Sequence, residues 1–210
     1  GHGTPRLFVI AAPSGAGKTT LVHALVKRMP QLRFSISYTT RPQRRNEADN
    51  VDYLFVDRET FERLREAGEM LESAEVFDNF YGTSRRQVER HLADGHSVVL
   101  EIDWQGARQV RAAMPAAVTI FVMPPSVAEL ERRLRSRGTD SEAVIQRRLR
   151  DALGDMGHWD EFDHVIVNDD LDRAVADLLA VVDGLPGQRA TSTRDPALKT
   201  AVAGILGGDP

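Results

Sequence analysis

Residues L7-F-V-I-A-A-P-S-G-A-G-K-T-T20 decide the fold class. The run from Leu7 to Ala12 is short and apolar, the pattern of a strand buried on both faces. Pro13 ends it, and glycines follow at positions 15 and 17. From Thr19 to Met29, the apolar residues Leu21, Val22, Leu25 and Val26 recur at helical spacing. Strand, glycine-rich turn and helix, in that order, are the setting in which a phosphate loop works. Gly15 and Gly17 let the backbone turn its N–H groups onto phosphate oxygens. The helix start near Lys18 adds the positive end of its dipole. Lys18 supplies a point charge for the β- and γ-phosphates, and the Thr19 hydroxyl is suited to ligate Mg²⁺. The strict pattern opens on glycine where this chain has Ala12, which leaves the strand–loop–helix logic intact. A glycine turn with a chance lysine is the bland alternative. Triphosphate binding is favoured over it, because S14-G-A-G-K-T-T20 directly follows an apolar strand.

The same rhythm recurs downstream. Ser97–Ile102, Val118–Met123 and His164–Asn168 read as strands. Each precedes a helical pattern: Trp104 to Met114, closed by Pro115; a helix after Ser126, with Glu129 completing a capping box; and a helix carrying Leu171, Val175, Leu178, Leu179 and Val182. Short apolar strands alternating with helices predict an α/β fold of P-loop NTPase type, three-layered, with a parallel core sheet. Two parts break the rhythm. A short alternating strand reads over Phe34–Thr39, and residues 35–95 hold strand-like pieces at Tyr53–Val56 and Met70–Phe77, with helices at Arg58–Ala67 and after Ser84. They predict an inserted α+β lobe. The segment R135-S-R-G-T-D-S141 is a polar connection between two Arg-rich helices. The expected organisation is core 1–34, lobe 35–95, core 96–134, a small helical lid 135–150, core 151–185 and a flexible tail 186–210. Within that tail a short helix is placed around Ala197–Leu206.

With 210 residues, 41% hydrophobic and 28% charged, the chain suits one globular domain with inserted lobes. A net charge of -4 argues against life on a nucleic-acid backbone. There is no cysteine, which excludes disulfides, thiolate catalysis and cysteine zinc sites. No apolar run approaches the roughly 20 residues that span a bilayer. The short run after Arg6 does not make a signal peptide. A cytoplasmic, soluble protein without membrane or nucleic-acid partners is expected. Oligomeric state is left open, a homo-oligomer included. No meaning is attached to Gly1-His2-Gly3.

A triphosphate site alone leaves GTPases, motor ATPases and small-molecule kinases. The guanine-reading N-K-x-D of a GTPase is not in the sequence, and motor ATPases are usually larger. The remaining polar motifs are S37-Y-T-T-R-P-Q-R44, Y81-G-T83, L100-E-I-D-W-Q-G106 and V167-N-D-D170. Together with the phosphate loop, and in this order over residues 6 to about 184, they resemble the guanylate kinase family, bacterial type.

That resemblance implies an enzyme that phosphorylates GMP and dGMP with ATP and Mg²⁺. It places Ser14, Gly15, Ala16, Gly17, Lys18, Thr19 and Thr20 around the ATP phosphates, and Asn168 and Asp169 beside adenine. Arg41, Arg44, Tyr53 and Tyr81 match positions that hold the GMP phosphate, where arginine forks and tyrosine hydroxyls are chemically apt. Ser37, Glu72 and Thr83 match positions that read guanine, whose N1–H and 2-amino group suit a carboxylate and which adenine cannot imitate. Asp103 is a further GMP-side candidate, and Glu101 a metal-side candidate with Thr19. Read without the resemblance, Tyr53 and Tyr81 would be sheet tyrosines, Glu72 a surface carboxylate and Asp103 a helix cap. Arg45 is expected to face solvent, Trp104 to pack, and His158 and His164 to be structural.

The runs R132-R-L-R-S-R137 and R147-R-L-R150 read on composition as a solvated basic face. No aromatic residues are interleaved to stack bases. The resemblance assigns Arg137 and Arg148 to the transferring phosphoryl, as catalytic residues alongside Lys18 and Arg41. Lobe and lid closure on binding is expected, to exclude water. The rival readings are a catalytically silent peptide-binding relative and a monophosphate kinase for another base. Intact Lys18, Thr19 and lid arginines oppose the first, and Glu72 with Ser37 and Thr83 opposes the second.

Overall fold

The strand β1 (Leu7–Ala11) is buried along its whole length. In a computed structural model, which describes residues 3–207, it belongs to a five-stranded sheet. Gly1, His2 and residues 208–210 of the expected tail lie outside the described residues. The other elements are β2 (Arg33–Phe34), β3 (Ser37–Thr39), β4 (Leu54–Phe55), β5 (Met70–Val76), β6 (Asn79–Ser84), β7 (Val98–Glu101), β8 (Val118–Met123) and β9 (His164–Val167). The helices are α1 (Lys18–Arg28), α2 (Arg58–Glu66), α3 (Arg85–Ala93), α4 (Trp104–Ala113), α5 (Val127–Arg135), α6 (Glu142–Met156), α7 (Leu171–Asp183) and α8 (Pro196–Leu206). The five-stranded sheet has the order β2-β7-β1-β8-β9, and a second sheet the order β4-β3-β6-β5. The chain falls into two compact units, one of residues up to Val9 with Gln31–Val118, the other of Ile10–Pro30 with Thr119 onward.

The first unit holds the four-stranded sheet. Its pairings β3–β6 and β5–β6 are antiparallel, while β3–β4 is parallel. The β5–β6 hairpin turns on Phe77 (φ 50) and Asp78 (φ 66). Positive φ at both central residues is the twist that a two-residue hairpin loop demands, and Val76 pairs directly with Asn79 across it. Helix α2 is capped by Asp57, which accepts from the Thr60 N–H, and α3 by Ser84, which accepts from the Gln87 N–H. The strand predicted over Phe34–Thr39 is corrected: it is two strands. Arg33–Phe34 pairs in parallel with β7, whereas Ser37–Thr39 belongs to the second sheet. The chain changes sheets at Ser35–Ile36, where the Ile36 N–H is satisfied by the Gln87 side chain at 2.9 Å instead of a strand.

In the second unit, β8 and β9 pair in parallel in the register Ile120–His164 to Met123–Val167. Both are rich in β-branched residues, and every residue of β8 is buried. Helix α7 packs on β9 and on α1 and buries Ala174, Val175 and Leu178. The segment beyond Pro186, expected to be a flexible tail, is packed over its described part. Thr191 O accepts from the Val165 N–H at 2.9 Å, and Ser192 bridges to His164. Strand β9 is a sheet edge with open backbone groups, and the tail covers it. The short helix placed at Ala197–Leu206 is α8, capped by Asp195 with Pro196 in its first turn. It buries Leu198, Val202 and Ile205.

Candidate active site

In the second unit the phosphate loop surrounds a cavity of about 390 Å³, lined by residues 12–20 with Arg133 and Arg137. Gly15 (φ +85) and Gly17 (φ +82) both take the left-handed backbone that favours glycine. Gly17 has a second reason: a Cβ there would lie 2.5 Å from Asn168 Nδ2. The buried Asn168 amide donates to Ala16 O at 2.8 Å, and Arg133 donates to the same carbonyl at 3.3 Å and to Asn168 O at 3.3 Å. Two side chains thus hold the Ala16 carbonyl. Lys18 opens α1, and the Thr19 hydroxyl stands in its exposed first turn. A larger cavity of about 530 Å³ beside Trp159, Phe162, Thr193, Arg194 and Lys199 contains no part of this loop. The smaller one is lined by the phosphate loop.

Most of the arginine-rich segment is paired. Arg132 and Arg133 bind Glu129, and Arg135 ties Glu131 to Glu142, joining α5 to α6. Arg148 pairs with Asp140 at 3.0 Å and is not among the cavity-lining residues. Arg137 has no ion pair among the described residues and lines the cavity. Of the two predicted phosphoryl-side arginines, Arg137 therefore meets the phosphate loop. Asn168 is buried beneath that loop as a brace, and Asp169 pairs with Arg189 at 2.8 Å.

The first unit brings Ser37, Thr83 and Glu72 into one cross-strand row. Ser37 on β3 pairs with Thr83 on β6, which pairs with Glu72 on β5. The Thr83 hydroxyl donates to Glu72 Oε1 at 2.8 Å, and both residues are buried. Burial pushes the Glu72 carboxyl above the ordinary carboxylate range; nearby Asp103 adds to the rise, and the Thr83 hydroxyl opposes it. A Cβ on Gly106 would sit 3.1 Å from Glu72 Oε2, so a glycine in the first turn of α4 leaves that oxygen its room. Asp103 caps α4, accepting from the Gly106 N–H at 2.7 Å. Glu101 ends β7 in the open.

Beside this row lies an arginine-aromatic cluster. Tyr53 and Tyr81 meet edge-on at 6.0 Å, and the Arg41 guanidinium stacks 5.2 Å from the Tyr53 ring centre. Arg41 also donates to both Glu47 oxygens, at 2.8 and 2.7 Å. That pairing draws the Glu47 carboxyl down to about 2. Arg44 is exposed, and its backbone N–H donates to Glu47 at 2.9 Å. Arg45 is exposed, as expected.

Sequence reasoning singled out neither Glu47, Gln109 nor Arg189. Gln109 exchanges two hydrogen bonds with the Ser73 backbone, at 3.0 and 3.1 Å. It imitates a neighbouring strand on the β5 edge and fixes α4 beside Glu72. Glu47 belongs to none of the quoted motifs. Its only signal was a carboxylate inside an arginine loop. Among the described residues, no group of three or more His, Cys, Asp or Glu could hold a metal ion. No described helix is long and apolar enough to cross a membrane.

A glycine-rich phosphate loop between the first strand and helix of a parallel α/β sheet defines a P-loop protein of NTPase type. The guanylate kinase family model matches residues 4–184. The guanylate kinase of Methylococcus capsulatus is 52% identical over 202 residues, covering 96% of this chain and 98% of that protein. That of Alkalilimnicola ehrlichii is 49% identical over 201 residues, with 96% and 98% covered. The crystal structure of guanylate kinase from Anaplasma phagocytophilum aligns with a TM-score of 0.64 at 33% identity, covering 95% of this chain and 94% of that one. The chain belongs to the guanylate kinase family.

Proposed function

We propose that this chain transfers the γ-phosphoryl of ATP to GMP, and to dGMP through the same base contacts, releasing ADP. The observation that carries the reading is the cross-strand row Ser37–Thr83–Glu72, buried at Thr83 and Glu72, beside the Arg41–Tyr53–Tyr81 cluster. A buried carboxylate with one oxygen held by Thr83 keeps its other oxygen for a donor pair, which guanine presents and adenine lacks. Arg41, Arg44, Tyr53 and Tyr81 hold the GMP phosphate. The lobe at 35–95 thereby serves as the GMP domain and 135–150 as the lid.

A GMP phosphate oxygen is already ionised near neutral pH, so attack on the γ-phosphorus needs no Ser, Cys or His nucleophile. The bond from that phosphorus to the bridging oxygen breaks as the new one forms, and ADP carries away the electron pair. Catalysis is positioning and charge stabilisation. Lys18 and Arg137 neutralise the phosphoryl oxygens, Arg148 contributes when the lid closes, and the loop N–H groups hold the triphosphate. Asn168 and Asp169 form the adenine side.

Thr19 is the residue to hold Mg²⁺, since its exposed hydroxyl is a hard oxygen donor at the cavity. No carboxylate cluster among the described residues would share the ion, so Thr19 would hold it together with phosphate and water oxygens. Glu101 would be the acidic residue to act on it through water. When bound, the ion supplies charge neutralisation. A cytoplasmic setting, where both nucleotides are made and used, belongs to the same reading. Coupled ADP release with GMP, dGMP, AMP, CMP and UMP tests it: turnover on both guanine nucleotides is expected, and equal turnover on AMP overturns it.

A further inference from the structure

We propose that Arg189 is a positioning residue for the ATP site and that it acts through Asn168. The proposal rests on the donor-site reading above. Arg189 lies beyond the residues matched by the family model, in the segment that covers β9. Its Nε donates to Asp177 Oδ2 at 2.8 Å, one terminal nitrogen to Asp169 Oδ2 at 2.8 Å, and the other to Val167 O at 3.2 Å. The Asp177 side chain is only 3% exposed, on α7, so the guanidinium is anchored where a carboxylate needs a partner.

Val167 and Asp169 are the two neighbours of Asn168. One guanidinium therefore grips the chain on both sides of that residue. From the other side, the Asn168 N–H donates to Met123 O at 2.8 Å. Fixed in this way, the Asn168 amide reaches Ala16 O at 2.8 Å. Arg189 completes a relay from buried Asp177, through the end of β9, to a carbonyl of the phosphate loop. Loosening it frees Asn168 and lets the Ala16 carbonyl, an acceptor, turn toward the phosphates. ATP binding suffers, and GMP binding does not.

Lysine separates positioning from simple stability. Arg189→Lys keeps a cation for Asp177, so the fold is retained, but a single ammonium cannot span Asp177, Asp169 and Val167 O. The experiment is a double-mutant cycle of Arg189→Lys with Asn168→Ala, read as KM for ATP and for GMP, with Tm measured alongside. Arg189→Lys is expected to raise the ATP KM about three- to tenfold, to leave the GMP KM unchanged, and to add nothing in the Asn168→Ala background. If Asn168→Ala alone leaves the ATP KM unchanged, the donor-site reading of Asn168 falls and this proposal falls with it. If Asn168→Ala raises the ATP KM while Arg189→Lys lowers only Tm, or shifts KM equally in both backgrounds, the donor reading stands and the role of Arg189 is overturned.

Discussion

The Thr83 hydroxyl donates to Glu72 Oε1 at 2.8 Å, and both side chains are buried on adjacent strands. This bond fixes one carboxylate oxygen and leaves the other beside Gly106, where a side chain would crowd it. On the proposed function, in which Glu72 reads guanine, a buried carboxylate of this kind makes a pH-dependent recognition element. Its folded pKa is raised, so the protonated form adds stability at low pH, and that contribution is lost as pH rises through the folded pKa. Binding runs the other way, because guanine requires the ionised form. The wild-type GMP KM is expected to rise as pH falls, at a pH above the ordinary carboxylate range. The phosphate of GMP titrates in either protein, so the Glu72 contribution is the difference between wild type and Glu72→Gln. Identical profiles for the two would contradict this.

Glycine substitutions separate the two nucleotide sites. Gly17→Ala forces a side chain onto left-handed backbone, at about 1–2 kcal/mol, and drives a Cβ into Asn168. It is expected to raise the ATP KM and lower Tm while sparing the GMP KM. Gly106→Ala displaces Glu72 Oε2 by a few tenths of an ångström and is expected to raise the GMP KM alone. Steady-state kinetics on both substrates would expose a crossed pattern, which the assignment forbids.

Glu47 prepares Arg41. Its two-pronged contact holds the guanidinium beside Tyr53 before ligand arrives, and preorganisation of this kind reduces the entropy lost on binding. Glu47→Ala is therefore predicted to raise the GMP KM about three- to tenfold, less than Arg41→Ala does. A lower GMP KM in Glu47→Ala would mean that Glu47 competes with the phosphate instead.

Lys18→Ala should leave the fold unchanged, since Lys18 opens α1 at the cavity and is not part of the apolar core. Loss of one preorganised charge at the transferring phosphoryl is expected to lower kcat by about 10²–10³. Turnover at the wild-type rate, measured with saturating ATP and GMP, would remove Lys18 from the donor site.

Much of this site was legible in the sequence because it depends on local rules. The phosphate loop needs a strand, two glycines and a helix start in order, and all three are written in residues 7–29. Ordered motifs single out Ser37, Glu72 and Thr83, and strand pairing brings them into one row. What remained hidden depends on non-local geometry. The hairpin turns on Phe77-Asp78, a pair without the usual Asn-Gly signal, so the bounds of β6 are not marked in the sequence. The alternation over Phe34–Thr39 is consistent with one strand, and only the Gln87 side chain reveals the change of sheet. Arg189 sits in a stretch rich in small and polar residues, and its partners are distant carboxylates no periodicity announces.

Guanine recognition by Glu72 is tested by the ratio of kcat/KM for GMP to that for AMP, measured in wild type and in Glu72→Gln. Losing a buried, charge-assisted contact to guanine is worth about 1.5–3 kcal/mol, or roughly ten- to more than a hundredfold. Wild type is expected to prefer GMP strongly, and that preference is expected to fall by about that factor in Glu72→Gln, with the ATP KM unmoved. A wild-type enzyme indifferent to the base, or a preference that survives Glu72→Gln intact, would contradict it.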